Sequence, residues 1–271
     1  MPVLPSRRRF LSAGIGSALL FGSGGGGSMT SPEPLKFATN PWPGFDPLYV
    51  ARDKGYFEEA GLTVALVDLT SIGASRRALE RGQVDGCGAT LVEILLAADQ
   101  SGLRPQIAAV VDYSNGADVL IGTAAMRNPA DLRGRRVAIE PGTLHIQLLA
   151  LALASVNLGI RDVILVPMPQ NAMPVAFADG MVAAAVCFPP ESNRLVDAGG
   201  KVLFHSGQVP GQVVDTLVFD GAFVARRGAD VRAFVGAYYR AMDFMASHPD
   251  EAHAIMARRE NMSVAELRQT L

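Results

Sequence analysis

Cysteine pairs, basic blocks and long apolar runs are what this sequence has least of. Two cysteines, Cys87 and Cys187, are too few for a disulfide scaffold and read as free buried thiols. Of the four histidines, His145 and His205 stand alone. His248 and His253 lie five apart across Pro249, the pattern of a solvated helix end rather than a metal site. Lysine occurs at positions 36, 54 and 201 only, and a formal net charge of -2 without a basic block argues against a nucleic-acid surface. There is no nucleophile elbow, phosphate-binding loop or dinucleotide fingerprint. These absences predict a protein that is not an enzyme and uses neither cofactor nor metal. What is abundant is apolar residue, 49% of the chain, enough for substantial cores in one large domain or two ordinary ones.

The first segment carries an address. Ser6, Arg7, Arg8, Arg9, Phe10 and Leu11 fill the twin-arginine export pattern. The apolar run that follows, Leu11 to Phe21, is too short to span a bilayer, and Gly22 to Ser28 is nearly all Gly and Ser. Residues 1–34 are therefore expected to be a signal peptide and linker, and the mature protein to be periplasmic.

Beyond it, strands and helices alternate over short connections, the grammar of a mainly parallel sheet covered by helices. Expected strands are Leu35 to Thr39, Thr63 to Leu69 and Val84 to Ala89. Expected helices are Leu48 to Ala60, Ala74 to Arg81 and Leu91 to Ala98. The segment Val137 to Gln147 is the clearest junction: a β-prone run stops at Glu140, Pro141 and Gly142, and Thr143 caps a helix expected to reach about Asn157. The pattern also repeats. ALERGQVDGCGAT, from Ala78, is echoed by AFADGMVAAAVCF, from Ala176, and the strand and Pro/Gly loop at Phe37 to Gly44 by Val137 to Thr143. Two echoes in the same order predict two similar α/β units. Ile107 to Gly122 could be one long strand crossing between them, and Val213 to Phe219 a second crossing. Val231, Phe234, Val235, Tyr238, Met242 and Met245 then recur at helical spacing from Asp230, Pro249 ends that helix, and Ser263 with Glu266 forms a capping box.

Three stretches, PGFDPLYVARDKGYFEEAGL (43–62), SNGADVL (114–120) and DLRGRRVAIEPGT (131–143), resemble the periplasmic solute-binding proteins of ABC importers, in the branch associated with nitrate, sulfonates, taurine and thiamine-pyrimidine precursors. The resemblance covers roughly residues 35–270. It implies a two-lobed α/β fold of the type II-like class, with two hinge strands and a ligand between the lobes. The expected lobes are 35–115 and 116–212, with 213–271 returning to the first. Members of that family usually continue for several more helices, so the C-terminus is expected to be truncated. They also usually carry an Asp and a Trp-Glu-Pro turn where this chain has Ala183 and Phe188-Pro189-Pro190.

On this reading the residues just past the strand ends face the cleft. From the first unit these are Asn40, Trp42, Gly44, Ser71, Gly73, Ala74 and Thr90. From the second they are Glu140, Gly142, Thr143, His145, Asn171 and Phe188. Helix starts at Ser71 to Ser75 and at Pro141 to Thr143 offer N–H groups to a small anion in a cleft without an obvious Lys or Arg. Asp215 and Glu140 pull the other way, toward an amine or amidine-like ring edge, unless Asp215 is a solvated charge at a strand start. Trp42 is either an aromatic wall against ligand or a core residue.

The expected function is an extracytoplasmic binding protein, monomeric, that captures a sulfonate-, taurine- or nitrate-like anion or zwitterion and delivers it to an ABC permease and ATPase complex. The alternatives are pyrimidine-precursor binding or synthesis on the same fold, and ligand sensing.

Overall fold

The computed structural model describes residues 33–270; the twin-arginine pattern and the Gly/Ser stretch lie outside the described residues. In chain order, β1 (Leu35–Thr39) passes through a 3-10 turn at Pro43–Phe45 into α1 (Pro47–Asp53) and α2 (Tyr56–Glu59). Then come β2 (Val64–Asp68), α3 (Ile72–Glu80), β3 (Gly86–Thr90), α4 (Leu91–Ser101) and β4 (Pro105–Tyr113). The second run holds β5 (Val119–Thr123), β6 (Arg136–Ile139), α5 (Leu144–Ala154), β7 (Ile164–Pro167), α6 (Met173–Ala178), β8 (Ala184–Cys187), α7 (Glu191–Asp197) and β9 (Gly200–His205). The chain closes with β10 (Val214–Asp220), α8 (Gly221–Ser247), α9 (Pro249–Glu260) and α10 (Val264–Thr270).

Two five-stranded sheets result, ordered β2-β1-β3-β10-β4 and β7-β6-β8-β5-β9. The orders correspond strand for strand, which is the duplication that the echoed sequences anticipated. In each sheet the fourth strand, β10 or β5, runs antiparallel to both neighbours. That strand enters from the other lobe, so it arrives from the opposite end. The central strands β3 and β8 are buried along their whole length, as strands covered by helices on both faces must be. In β3 the residues are small for a reason: a Cβ on Gly88 would stand 2.6 Å from the Phe45 ring, and one on Gly86 2.6 Å from Phe219.

Several expected boundaries move, each for a local reason. Leu48 to Ala60 is two helices, because Gly55 takes φ +73° between them. The helix expected from Ala74 begins at Ile72, where Ser71 accepts from the Ala74 amide at its N-cap. The helix expected to reach Asn157 ends at Ala154, and Asn157 itself is left-handed. Ile107 to Gly122 is two strands in different sheets, interrupted at Ser114 to Asp118. The helix expected from Asp230 starts at Gly221 and is kinked at Arg227.

Two segments therefore cross between the lobes, 114–118 and 206–213, and they are laced together. Ser114 N donates to Val213 O at 3.0 Å, Ser206 N donates to Asp118 O at 2.9 Å, and the Ser114 and Ser206 hydroxyls lie 2.7 Å apart. Cys87 and Cys187 are both buried and free, as expected.

Candidate functional site

A small cavity lies where the lobes meet, beyond the carboxyl ends of β1, β3 and β8. The first lobe lines it with Asn40, Trp42, Phe45, Ile72 and Asp215. Asp118, Leu144 and Phe188 line the other side. The lobes close so tightly that only about 10 Å³ is open, room for one water. An apolar seam makes the closure: Ile72, Leu144, Phe188 and Val213 form one buried cluster with Trp42 packed on it. Trp42 lines the cavity, meets the Phe188 ring edge-on at 5.7 Å and also packs on the first-lobe core.

The helix starts that faced the cleft in the sequence reading do face it, yet their amides are occupied. Glu140, at the end of β6, reaches across to α3, where Ser71 Oγ donates to its Oε1 at 2.5 Å. It presses so closely on the first turn that a Cβ on Gly73 would overlap Oε1. Glu93, in the first turn of α4, reaches the other way and accepts from the Leu144 amide at the start of α5 at 2.7 Å. The same carboxylate accepts from the Thr90 amide at 2.8 Å and from the Thr90 hydroxyl, completing a capping box. Each lobe thus places a buried carboxylate on a helix N-terminus of its neighbour, where the helix dipole and free amides favour negative charge. The cleft is not free of cations either. Arg77 Nη2 lies 4.0 Å from Glu140 Oε1, and Arg76, ion-paired with Glu80, has an amine that would stand 3.0 Å from a Cβ on Gly142. Both arginines are on α3, on the turn facing the second lobe, which the linear sequence did not reveal.

The remaining polar groups are mostly acceptors. Asp215 is no solvated charge; it is 4% exposed, paired in register with Asp112 on β4 and Thr90 on β3. Burial, then the neighbouring Asp112 and Asp118 carboxylates, hold its carboxyl well above the usual range. Burial likewise pushes Asp118 up to about 7, against a hydrogen bond from Ser114 that lowers it. Asn40 is 1% exposed and its Oδ1 has no partner. His145 is fully buried, accepts the Glu140 amide at Nδ1 (3.1 Å) and is held neutral by burial, its pKa lowered to about 4.

The loop bearing Asn40 and Trp42 is fixed from behind by α9. Arg259 donates to the Asn40 carbonyl at 2.7 Å and lies 4.5 Å over the Tyr49 ring, while Glu260 accepts from the Trp42 amide at 3.0 Å.

Of the anticipated site residues, Asn40, Trp42, Asp215 and Phe188 line the cavity, and Ser71, Gly73, Ala74, Thr90, Glu140, Thr143 and His145 form the surrounding helix starts. Gly44 packs behind Trp42, and Gly142 turns the loop with φ +72°. Asn171 is misplaced: it is exposed, and its neighbour Gln170 is the buried residue, holding the Phe188 backbone and Glu191. Glu93 went unnoticed although Thr90 to Glu93 has the spacing of a capping box, a signal open to inspection. Asp118 and Asp112 carried no comparable signal, since only the crossing of the lobes brings them to Asp215.

Comparison with known proteins agrees with this architecture. A Brucella abortus (strain 2308) protein whose binding role is itself only assumed is 25% identical over 227 residues, an alignment taking in 77% of this chain and 66% of the relative's length. In three dimensions the chain is similar to the alkanesulfonate-binding protein SsuA from Xanthomonas axonopodis pv. citri, solved with MOPS (TM-score 0.76, 21% identity, 89% of this chain and 83% of that one). It is also similar to the periplasmic nitrate-binding protein NrtA from Synechocystis PCC 6803 (TM-score 0.73, 18% identity, 86% and 68%). The desulfurization enzyme DszB shares the fold more loosely (TM-score 0.65, 17% identity, 88% and 84%). Among the described residues no helix is long and apolar enough to cross a membrane. The family described as NMT1/THI5-like matches residues 42–252, most of the sequence, and the chain belongs to it.

Proposed function

We propose that this chain is the solute-capturing component of an ABC importer, exported by its twin-arginine segment and working as a periplasmic monomer. The lobes, 35–115 with 213–271 and 116–212, separate at the paired hinge, admit one small organic solute, and close. A permease and its ATPase then recognise the closed form. The observation that carries the reading is the place of the cavity, walled by both lobes at the strand ends, so that a guest larger than one water would touch both lobes while holding them slightly further apart than they stand here. The names of the structural relatives, alkanesulfonate- and nitrate-binding, support a small polar solute and bring a sulfonate-, taurine- or nitrate-like anion or zwitterion into the trial set.

Catalysis on the same scaffold, as in DszB, finds less support. Cys187 is buried and its thiol pushed far up by burial, which keeps it protonated and unreactive.

The test is to purify the mature protein without denaturation, extract and identify bound small molecules by mass spectrometry, and measure lobe separation by small-angle scattering with and without the identified compound. Compaction on adding it is expected. Absence of any co-purifying compound, together with unchanged scattering across a library of small polar solutes, would refute solute capture.

A further inference from the structure

We propose that the cleft takes a small organic cation, an amine or amidinium, anchored by Asn40, Asp118 and Asp215 against Trp42 and Phe188, and that Glu93 and Glu140 exclude anions by occupying the helix N-termini. This rests on the reading of the cleft as a capture site and names the class of its guest.

The argument starts from what an anion would need. Its usual anchor in an α/β cleft is a helix start with free amides. At α5 the Leu144 amide is already bonded to Glu93, and at α3 the first turn carries Glu140. A sulfonate or nitrate entering either place would find the amides already taken by a buried carboxyl that it would have to displace; burial raises both carboxyls, while hydrogen bonds from Thr90 and Leu144 to Glu93 and from Ser71 to Glu140 pull the other way. Arg77, the cation nearest the α3 start, is neutralised by the same Glu140.

A cation meets the opposite situation. Asn40 Oδ1 is a buried acceptor with no partner, and leaving such an atom unpaired is costly until a donor arrives; Trp42 Nε1, an unpartnered buried donor of the same wall, lies toward Gly44 and Asp112. Beside it in the cavity wall stand two carboxyls, Asp118 and Asp215. The titratable groups facing them are Asp112 on β4, Glu93 on α4 and Tyr238 on α8, which add acid rather than a compensating cation. One N–H-rich cation would satisfy the orphan oxygen and relieve the carboxyl repulsion together. Trp42 and Phe188 wall the same cavity, and aromatic rings attract cations. Because burial raises Asp118 to about 7, cation entry expels a proton there, and affinity rises with pH toward and through about 7.

Benzamidine and n-butylamine serve as cationic probes, ethanesulfonate and nitrate as anionic ones, with calorimetry on the mature chain at pH 6, 7 and 8. The expected result is at least tenfold tighter binding of benzamidine than of ethanesulfonate, tightening with pH, and a tenfold or greater loss in Asp215→Asn and in Asp118→Asn. Glu140→Gln, which keeps the shape but removes the charge, is expected to raise ethanesulfonate affinity at least tenfold. The wild-type comparison needs no variant to fold. Tighter binding of either anion by the wild type would overturn the cation assignment and leave solute capture standing, as would identification of an anion as the co-purified compound. Silence of all four probes overturns it too, and solute capture falls as well only when no compound co-purifies and scattering is unchanged.

Discussion

Replacing Glu93 should show how much of the closed arrangement rests on one carboxylate. Glu93 is fully buried and accepts three hydrogen bonds, two from the backbone amides of Thr90 and Leu144 and one from the Thr90 hydroxyl. Glu93→Ala strands both amides in a site that water cannot reach, at about 1–3 kcal/mol each, so a loss of about 4 kcal/mol is expected. That is a large part of the total stability of an ordinary domain, about 5–15 kcal/mol. Glu93→Gln keeps one carbonyl oxygen and should lose about half as much. Glu59→Ala, which removes only the exposed pairing with Arg240, is the control and should cost under about 1 kcal/mol. Urea unfolding followed by far-UV circular dichroism and by Trp42 emission provides the assay. A Glu93→Ala protein within about 1 kcal/mol of the wild type, or indistinguishable from Glu93→Gln, would show that the cross-lobe contact is not formed in solution.

Further outcomes follow from single residues. His145 is held neutral at a pKa of about 4, against 6.5 for the free side chain, so the unfolded chain takes up its proton first as pH falls. Its contribution is complete above pH 6.5 and is lost toward pH 4, at about 1.4 kcal/mol per pH unit. The stability difference between wild type and His145→Asn should narrow along that slope, and a difference constant across the window would contradict it. Gly73→Ala, which in an open helix would stabilise by about 1 kcal/mol, should destabilise here because the added methyl displaces Glu140; thermal unfolding decides the sign. Cys87 and Cys187 should resist a thiol reagent in the native state and both react in urea, since burial raises each thiol.

The fold was legible to the extent that its signals are local. Alternating strands and helices, the duplicated Gly-Val turns and the caps at Thr143 and Ser263 are statements about neighbours in sequence, and the structure keeps them. The cleft was legible only as a list of strand ends. Its charge balance was not, because Glu93 and Glu140 act on the opposite lobe, and Asp112, Asp118 and Asp215 meet only when the chain has crossed twice. Glu140 and Asp215 were placed at the cleft from the sequence, but Glu93 was not, for one physical reason: a helix start advertises free amides, and nothing local says which distant side chain will fill them.

The support behind Asn40 and Trp42 has a consequence for biogenesis. Arg259 and Glu260, which pin that loop, lie more than two hundred positions downstream of it. A nascent or clipped polypeptide ending ahead of them would own every cavity-lining side chain and still leave the front wall unbraced. On the proposed reading, guest recognition would be deferred until synthesis has passed α9, and unfinished copies would make poor scavengers of whatever the finished protein collects.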